Sequence, residues 1–103
     1  MTAIKPFRPA PGGGGTLSVT DSTGDRVEIP GAGERQIEIT NTGDNEAHLR
    51  LGGSSVQAVV DSDLCLPSGH SRLYSVNSGD THLGGRCASG ESTTIKICIG
   101  HGN

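Results

Sequence analysis

The sequence predicts an all-β fold, an antiparallel β-sandwich or jelly roll of about eight short strands with an extended N-terminal arm. Apolar and polar residues alternate in short runs, which is typical of strands with one face in a core. Turn residues separate these runs at intervals of roughly 8–12 residues. No stretch of useful length has helical periodicity. We therefore expect an arm over residues 1–15 and a β-sandwich domain over residues 16–103.

In the first half of the chain, the alternation is clearest over residues 35–40, where Ile37 and Ile39 share one face. Residues 47–51 repeat the pattern, with three apolar residues toward the core and with His48 and Arg50 pointing away from it. Turn sequences rich in Gly, Asp and Asn separate these runs. The predicted strands of this half occupy residues 16–20, 26–29, 35–40 and 47–51.

In the second half, three isoleucines alternate with Lys96 and Cys98 near the C-terminus. Because successive side chains of a strand point to opposite faces, Cys98 should share a face with Lys96, opposite the isoleucines. A short run over residues 64–66 stops at a Pro-Ser-Gly turn. The predicted strands of this half occupy residues 56–60, 64–66, 71–76, 83–88 and 92–100.

The core that these strands can build is small. Hydrophobic residues make up 31% of the chain and aromatic residues 2%, against ~45–50% apolar residues in an ordinary globular protein. Burying a Val, Leu or Ile side chain contributes ~1.5–3 kcal/mol, whereas ordering the backbone of each residue costs ~1–2 kcal/mol. We therefore expect the chain to gain stability from neighbouring subunits in an assembly.

Charge and hydropathy argue against two classes of partner. A sequence pI of about 5.7 does not fit a nucleic-acid-binding protein. No run of about 18 apolar residues predicts a membrane span. The first residues also lack the apolar stretch of a secretory signal, so we expect a reducing compartment and reduced cysteines.

Residues 1–15 differ in composition from the rest of the chain. Three prolines favour an extended backbone, and a run of four glycines reads as a flexible tether. Lys5 and Arg8 give the segment a charge of +2, which leaves −5 on the rest of a chain with net charge −3. The segment is either a disordered tail or a docking arm, and we favour the arm because it contains the single phenylalanine, Phe7. The predicted partner-binding residues are Ile4, Lys5, Pro6, Phe7, Arg8 and Pro9.

The cysteines and histidines show no metal-binding motif. No CxxC or HxH pair occurs, so the local spacing of a zinc ribbon or a cupin metal site is missing. A site assembled in space from Cys and His residues stays open. Otherwise, we expect Cys65 and Cys87 to be small buried residues and Cys98 to be covered by a neighbouring subunit. We predict no metal and no cofactor.

Residue types of a hydrolase occur without a catalytic motif. A nucleophile, a base and an acid are available among Ser68, His70, Ser71, Asp80 and His82. Nothing resembles the G-x-S-x-G nucleophile turn. The carboxylates of residues 21–25 and 61–63 do not continue into an EF-hand loop, and we interpret them as turn residues that bind the backbone. We predict that the protein is not an enzyme.

Several short motifs over roughly residues 35–102 resemble a family pattern. They are Glu-Ile-Thr-Asn-Thr-Gly at 38–43, His-Leu-Arg-Leu-Gly at 48–52, Leu-Pro-Ser-Gly at 66–69, Thr-Ile-Lys-Ile at 94–97 and Gly-His-Gly at 100–102. In this combination the chain resembles the small β-sandwich head decoration (cement) proteins of tailed bacteriophages. The three cysteines, including the Asp-Leu-Cys before the proline turn, depart from that pattern.

This resemblance implies a structural virion protein that binds the outside of a capsid. Such proteins are typically homotrimers, and the partner would be the major capsid protein, whose subunit contacts they stabilise. The protein would be made in the host cytoplasm and reside on the virion. The alternatives are another small virion component, such as a head-fibre base or tail accessory protein, and a ligand- or carbohydrate-binding β-sandwich. A sugar-binding module usually presents aromatic side chains, and this chain has no Trp and only one Tyr, Tyr74.

Overall fold

A computed structural model describes residues 8–31, 35–60 and 63–101, without the side chains of Arg8 and His101. The described residues form eight β-strands. Their bounds are β1 Arg8–Val19, β2 Arg26–Glu28, β3 Arg35–Asn41, β4 Ala47–Gly52, β5 Leu64–Leu66, β6 Ser71–Val76, β7 His82–Arg86 and β8 Thr93–His101. In these ranges, no helix is long and apolar enough to cross a membrane.

The strands form two four-stranded antiparallel sheets, with orders β1-β8-β3-β6 and β2-β7-β4-β5. The first strand pairs with the last, and the pairing continues inward as β2–β7, β3–β6 and β4–β5. The chain is therefore one long antiparallel hairpin rolled into two sheets, which is the jelly-roll topology. The predicted all-β antiparallel sandwich of about eight strands is confirmed.

The isoleucines of β3 and β8 form the centre of the core, as their alternation predicts. Ile37 lies opposite Ile99 in the register of the two strands, and Ile39 lies opposite Ile97. The described core consists almost entirely of aliphatic side chains, with Cys87 among them. Cys98 and Lys96 lie on the other face of β8, as predicted, with Cys98 half-buried and Lys96 exposed.

A buried asparagine joins the two sheets at one end. The Asn41 side-chain amide donates hydrogen bonds to the carbonyl oxygens of Asn45, at 2.8 Å, and of Leu66 in β5, at 3.0 Å. Its Oδ1 accepts from the Gly43 backbone N–H at 3.1 Å and from the Thr93 hydroxyl in β8 at 2.7 Å. The amide nitrogen donates two hydrogen bonds and the amide oxygen accepts two. No polar atom of this buried side chain is therefore left without a partner.

The glycine run belongs to a strand rather than to a tether. β1 starts at Arg8, opposite His101, and the register shifts between Pro9 and Gly14 at a β-bulge. Gly12 adopts a φ of 74° at this bulge, a backbone conformation that glycine tolerates best. Residues 8–15, assigned to the arm from their composition, are thus extended but lie within the first sheet.

The predicted strand over residues 56–60 is wrong. Val56 and Ala58 are buried while Val59 is exposed, so the segment shows the alternation of a strand. Its backbone does not join a ladder: the Val56 N–H donates to the Gly53 carbonyl oxygen at 3.1 Å, and the Val56 carbonyl oxygen accepts from Arg26 Nε at 3.1 Å. Val56 and Ala58 lie against Gly84 of β7, where no side chain competes for the space. Because this loop packs one side against a sheet face, its buried and exposed residues alternate as they would in a strand.

Candidate functional site

The predicted docking arm lies mostly outside the described residues. Four of its six residues, Ile4, Lys5, Pro6 and Phe7, lie in that part of the chain. The remaining two, Arg8 and Pro9, begin β1 and are register partners of His101 and Gly100 in β8. β1 is an edge strand of the first sheet.

Two other edge strands carry large exposed apolar side chains. β6 is the second edge of the first sheet, and its Leu73 is 45% exposed. β5 is an edge of the second sheet, and its Leu64 is 43% exposed. Leu73 lies opposite Glu38 on the outer face of the first sheet. An edge strand presents backbone N–H and C=O groups to its surroundings, so each of these strands can accept a strand from another chain.

The structure does not bring the hydrolase candidates together. His70 lies in the turn before β6, where its Nδ1 is 3.1 Å from the Ser68 carbonyl oxygen. His82 begins β7 and its Nδ1 is 2.9 Å from the Thr81 hydroxyl. Asp80 accepts a hydrogen bond from the Asn77 backbone N–H at 3.0 Å. His70 precedes the six-residue strand β6, and His82 follows the turn at its other end. The length of that strand, about 20 Å at the usual rise per residue, therefore separates the two histidines.

The described turn carboxylates bind the backbone, as expected, while Asp61 lies outside the described residues. Asp25 Oδ2 accepts hydrogen bonds from the Thr20 N–H at 2.7 Å and from the Thr20 hydroxyl at 2.6 Å. Asp63 accepts from the Val59 N–H at 2.6 Å and forms an ion pair with Arg50 at 2.9 Å. These carboxylates therefore close turns and a loop within the sandwich.

The three cysteines occupy three different environments, and no disulfide joins them. Cys87 is buried, as predicted, and burial, helped by nearby carboxylates with Glu91 first among them, raises the pKa of its thiol. Cys98 is half-buried on the outer face of the first sheet. The expectation that Cys65 is buried is wrong: it is exposed, because it lies on the face of the short strand β5 opposite to that of Leu66, which is buried in the core.

Cys65 lies beside a buried histidine and a glutamate. His48 points away from the core, as its place in the alternation requires, but it is only 3% exposed rather than solvated. Its Nε2 is 3.8 Å from Glu46 Oε1, and the Cys65 thiol donates to Glu46 Oε2 at 3.2 Å. The three possible ligand atoms lie within 4.8 Å of one another. Within the sequence, only the Glu-x-His spacing indicates this cluster. Cys65 is distant in sequence and lies beside His48 only because β5 pairs with β4.

Tyr74 offers no aromatic platform for a sugar. Its ring packs against the hydrophobic core, and its hydroxyl oxygen is buried. Burial raises the pKa of the phenol, while Arg72 acts in the opposite direction. The structure thus gives this residue a packing role.

No protein-family model and no curated protein sequence matches this chain. Among solved structures, a protein of the disulfide-linked pili that form Bacillus endospore appendages is 13% identical, with a TM-score of 0.47 over 97% of this chain and 91% of that chain. The coat protein of Tobacco streak virus is 12% identical, with a TM-score of 0.42 over 94% of this chain and 83% of that chain. At these identities and TM-scores, neither similarity assigns a function.

Proposed function

We propose that this chain is a structural protein of a tailed-phage virion, which binds the outside of the capsid as a homotrimer. In this role it stabilises the contacts between major capsid subunits. It is made in the host cytoplasm and performs no catalysis. The motif resemblance over roughly residues 35–102 supports a phage particle, and the exposed edge strands support attachment to it.

The exposed edge strands are the observation that carries the proposal. β6 and β5 are edges of opposite sheets, and each presents a leucine that is close to half exposed. A jelly roll with two such edges can add a neighbour's strand to either sheet, with backbone hydrogen bonds for affinity and the leucine as an apolar contact. A subunit held between several neighbours needs contact surfaces of this kind.

The segment that precedes β1 supplies a further contact. The described part of the chain enters the first sheet at Arg8, in the edge strand β1. Lys5 and Phe7 provide one cationic and one aromatic side chain for a neighbouring acidic surface. Pro6 restricts the backbone φ angle at its position and so lowers the entropy that docking costs.

The stabilising mechanism is mechanical. Each copy buries apolar and polar surface across more than one capsid subunit, so expansion or rupture of the particle must also break those contacts. The small aliphatic core of the chain fits this role, because the bound surfaces add to the burial that the chain achieves alone.

Cosedimentation with capsids that lack the protein tests the proposal. The full chain and a variant without residues 1–7 are compared at equal concentration, with circular dichroism to verify that both are folded. We expect the full chain to bind at a fixed copy number per particle. The shortened chain should bind at least about tenfold more weakly, a change of about 1.4 kcal/mol.

Two outcomes would count against the proposal in different ways. If the full chain does not sediment with capsids, the capsid-binding function is wrong. If the full chain and the shortened chain bind with equal occupancy, the capsid function stands and the role of residues 1–7 is wrong.

A further inference from the structure

Three side chains with metal-ligating atoms meet on the outer face of the second sheet. They are Glu46, His48 and Cys65, and the ligand atoms that they offer lie within 4.8 Å of one another. The cluster includes Cys65 of the edge strand β5 and takes no part in the hydrophobic core.

Strand geometry explains why these residues converge. Glu46 immediately precedes β4, and its carboxylate reaches His48 Nε2 at 3.8 Å. His48 in β4 and Cys65 in β5 are direct partners in the antiparallel register. Side chains of such partners stand opposite each other with about 4.5–5.5 Å between their Cβ atoms. The neighbouring residues Ala47 and Leu66 point the other way, into the core.

The distances fit a small tetrahedral ion. Cys65 Sγ is 3.2 Å from Glu46 Oε2, and His48 Nε2 is 3.8 Å from Glu46 Oε1. Around zinc, with bonds of about 2.0–2.3 Å, ligand atoms at tetrahedral angles are about 3.3–3.6 Å apart. The three ligand atoms lie within 4.8 Å of one another, so the widest pair would have to close by up to about 1 Å to reach that spacing.

The charges of the three groups also balance a dication. A carboxylate and a thiolate together carry two negative charges, and a neutral imidazole adds none. In the structure the Cys65 thiol donates a hydrogen bond to the Glu46 carboxylate, so an entering metal ion would take the place of the thiol proton. The thiol proton then leaves to solvent, one per ion bound. The mixed sulfur, nitrogen and oxygen set suits zinc better than magnesium or calcium, which prefer oxygen ligands alone.

Three arginines share this face, and all three have partners among acceptor oxygens. Arg26 of β2 lies across Gly84 from Arg50, and its Nε donates to the Val56 carbonyl oxygen at 3.1 Å. Arg86 is the partner of His48 on the β7 side, and its Nε donates to the Asp21 carbonyl oxygen at 3.0 Å. Arg50 forms an ion pair with Asp63 at 2.9 Å. Their interactions therefore tie all three guanidinium groups to oxygen atoms outside the cluster.

We propose that Glu46, His48 and Cys65 form a zinc-binding site with three protein ligands and a fourth position open to solvent. Glu46 and Cys65 are exposed at this edge of the sheet, so water can occupy the fourth position. The ion would link β4 to the three-residue strand β5 at the point where the long hairpin folds back. Zinc binding should therefore also raise the thermal unfolding midpoint, because the folded state alone presents the assembled site.

Cobalt titration of the reduced full chain tests the site. Bound Co²⁺ reports a thiolate ligand through a sulfur-to-metal charge-transfer band and tetrahedral geometry through intense visible bands. We expect one equivalent to bind and zinc to displace it. Cys65→Ser should abolish the charge-transfer band, whereas Cys98→Ser, which removes a thiol from the opposite sheet, should leave it unchanged.

The two remaining ligands distinguish a built site from binding by a lone surface thiol. Glu46→Gln and His48→Gln should each weaken zinc binding by at least about tenfold, the lower end of what even the loss of an outer partner costs. Because Glu46 is exposed, Glu46→Gln should fold even if the substitution of the buried His48 prevents folding. The test therefore does not depend on the His48 variant. Unchanged zinc affinity in Glu46→Gln, or a charge-transfer band that survives Cys65→Ser, would overturn the proposal.

Discussion

Thr93 donates a hydrogen bond of 2.7 Å from its hydroxyl to Oδ1 of Asn41, and both residues are buried. Thr93 begins β8 in the first sheet, while the same asparagine holds the Leu66 carbonyl oxygen of β5 in the second sheet. One side-chain amide thus connects the strand that closes the jelly roll to the strand where the hairpin folds back. The Asn-Thr-Gly turn therefore has a structural role at this end of the sandwich.

Asn41→Ala should lower the free energy of unfolding by about 2–4 kcal/mol, because it leaves several buried donors and acceptors without partners. Denaturant unfolding followed by circular dichroism measures the change. Asn45→Ala is the matched control: it removes one exposed hydrogen bond, of 2.9 Å to the Ser92 carbonyl oxygen, and should cost about 1 kcal/mol or less. Equal losses in the two variants would contradict the special role of Asn41.

Gly43→Ala should destabilise the protein by about 1–3 kcal/mol through overpacking. A Cβ at this position would lie 2.7 Å from the Thr94 backbone nitrogen and 2.9 Å from the Thr93 Cα, so the backbone itself would have to move. Gly53→Ala serves as the control because a Cβ there meets nothing within 4 Å. Thermal unfolding of both variants gives the comparison, and a Gly43→Ala protein as stable as the control would refute the close packing.

The thiols should react in the order of their exposure. Cys65 is exposed, Cys98 is half-buried and Cys87 is buried, so a thiol reagent should label them in that sequence. Cys87 should react only when the sandwich opens, with a rate that follows global stability in denaturant. Mass spectrometry after timed labelling measures the order. Rapid labelling of Cys87 under native conditions would show that this part of the core opens locally.

Alkaline pH should weaken the fold through Cys87. Burial raises the pKa of this thiol above its ordinary value of 9.0, so the folded state keeps the proton at a pH where the unfolded chain releases it. The contribution to stability is therefore complete below pH 9.0 and decreases as the pH rises toward the raised value. Unfolding free energies from pH 8 upward should decline less steeply in Cys87→Ala, although that variant starts from a lower stability. Parallel declines would assign the effect to other groups.

The deletion that tests the N-terminal arm should end at residue 7, before β1, and not at residue 15, where composition places the end of the arm. Removal of residues 1–15 also removes the paired residues of β1 from Arg8 to Gly15. At about 0.5–1.5 kcal/mol for each lost hydrogen bond, it should destabilise the sandwich by about 2 kcal/mol or more. Removal of residues 1–7 should leave the unfolding midpoint nearly unchanged. Equal midpoints for both deletions would mean that the start of β1 contributes little to the sheet.

The sequence correctly predicts those strands in which the alternating apolar residues are the ones that the core buries. β3 and β8 are clear from their alternating isoleucines, because one face of each strand packs in the core and the other does not. Residues 56–60 show the same alternation in a loop, since Val56 and Ala58 are buried without a strand partner. The sequence did not predict a strand over the glycine run, because glycines have no side chains whose alternation could indicate one. The bulge near Gly12 determines the conformation of this segment.

The side-chain cluster of Glu46, His48 and Cys65 depends on strand register, which composition and spacing do not provide. Motif spacing finds ligands that are neighbours in sequence, whereas here His48 and Cys65 are neighbours only because β4 and β5 pair. The exposure of Cys65 has the same origin: its short strand directs Leu66 into the core and the thiol outward. Only a defined pairing of the two strands makes these positions predictable.

Self-association is the property that tests the structural role most directly, and light scattering of the purified full chain measures it. We predict a mass three times that of the 10.5 kDa chain, held across a range of concentrations. Leu73→Lys, which places a charge on the exposed edge strand β6, should reduce that mass if this edge forms the contact, and Leu64→Lys should do so if β5 forms it. A mass of 10.5 kDa for the unmodified chain at every concentration would contradict the trimeric subunit proposed here.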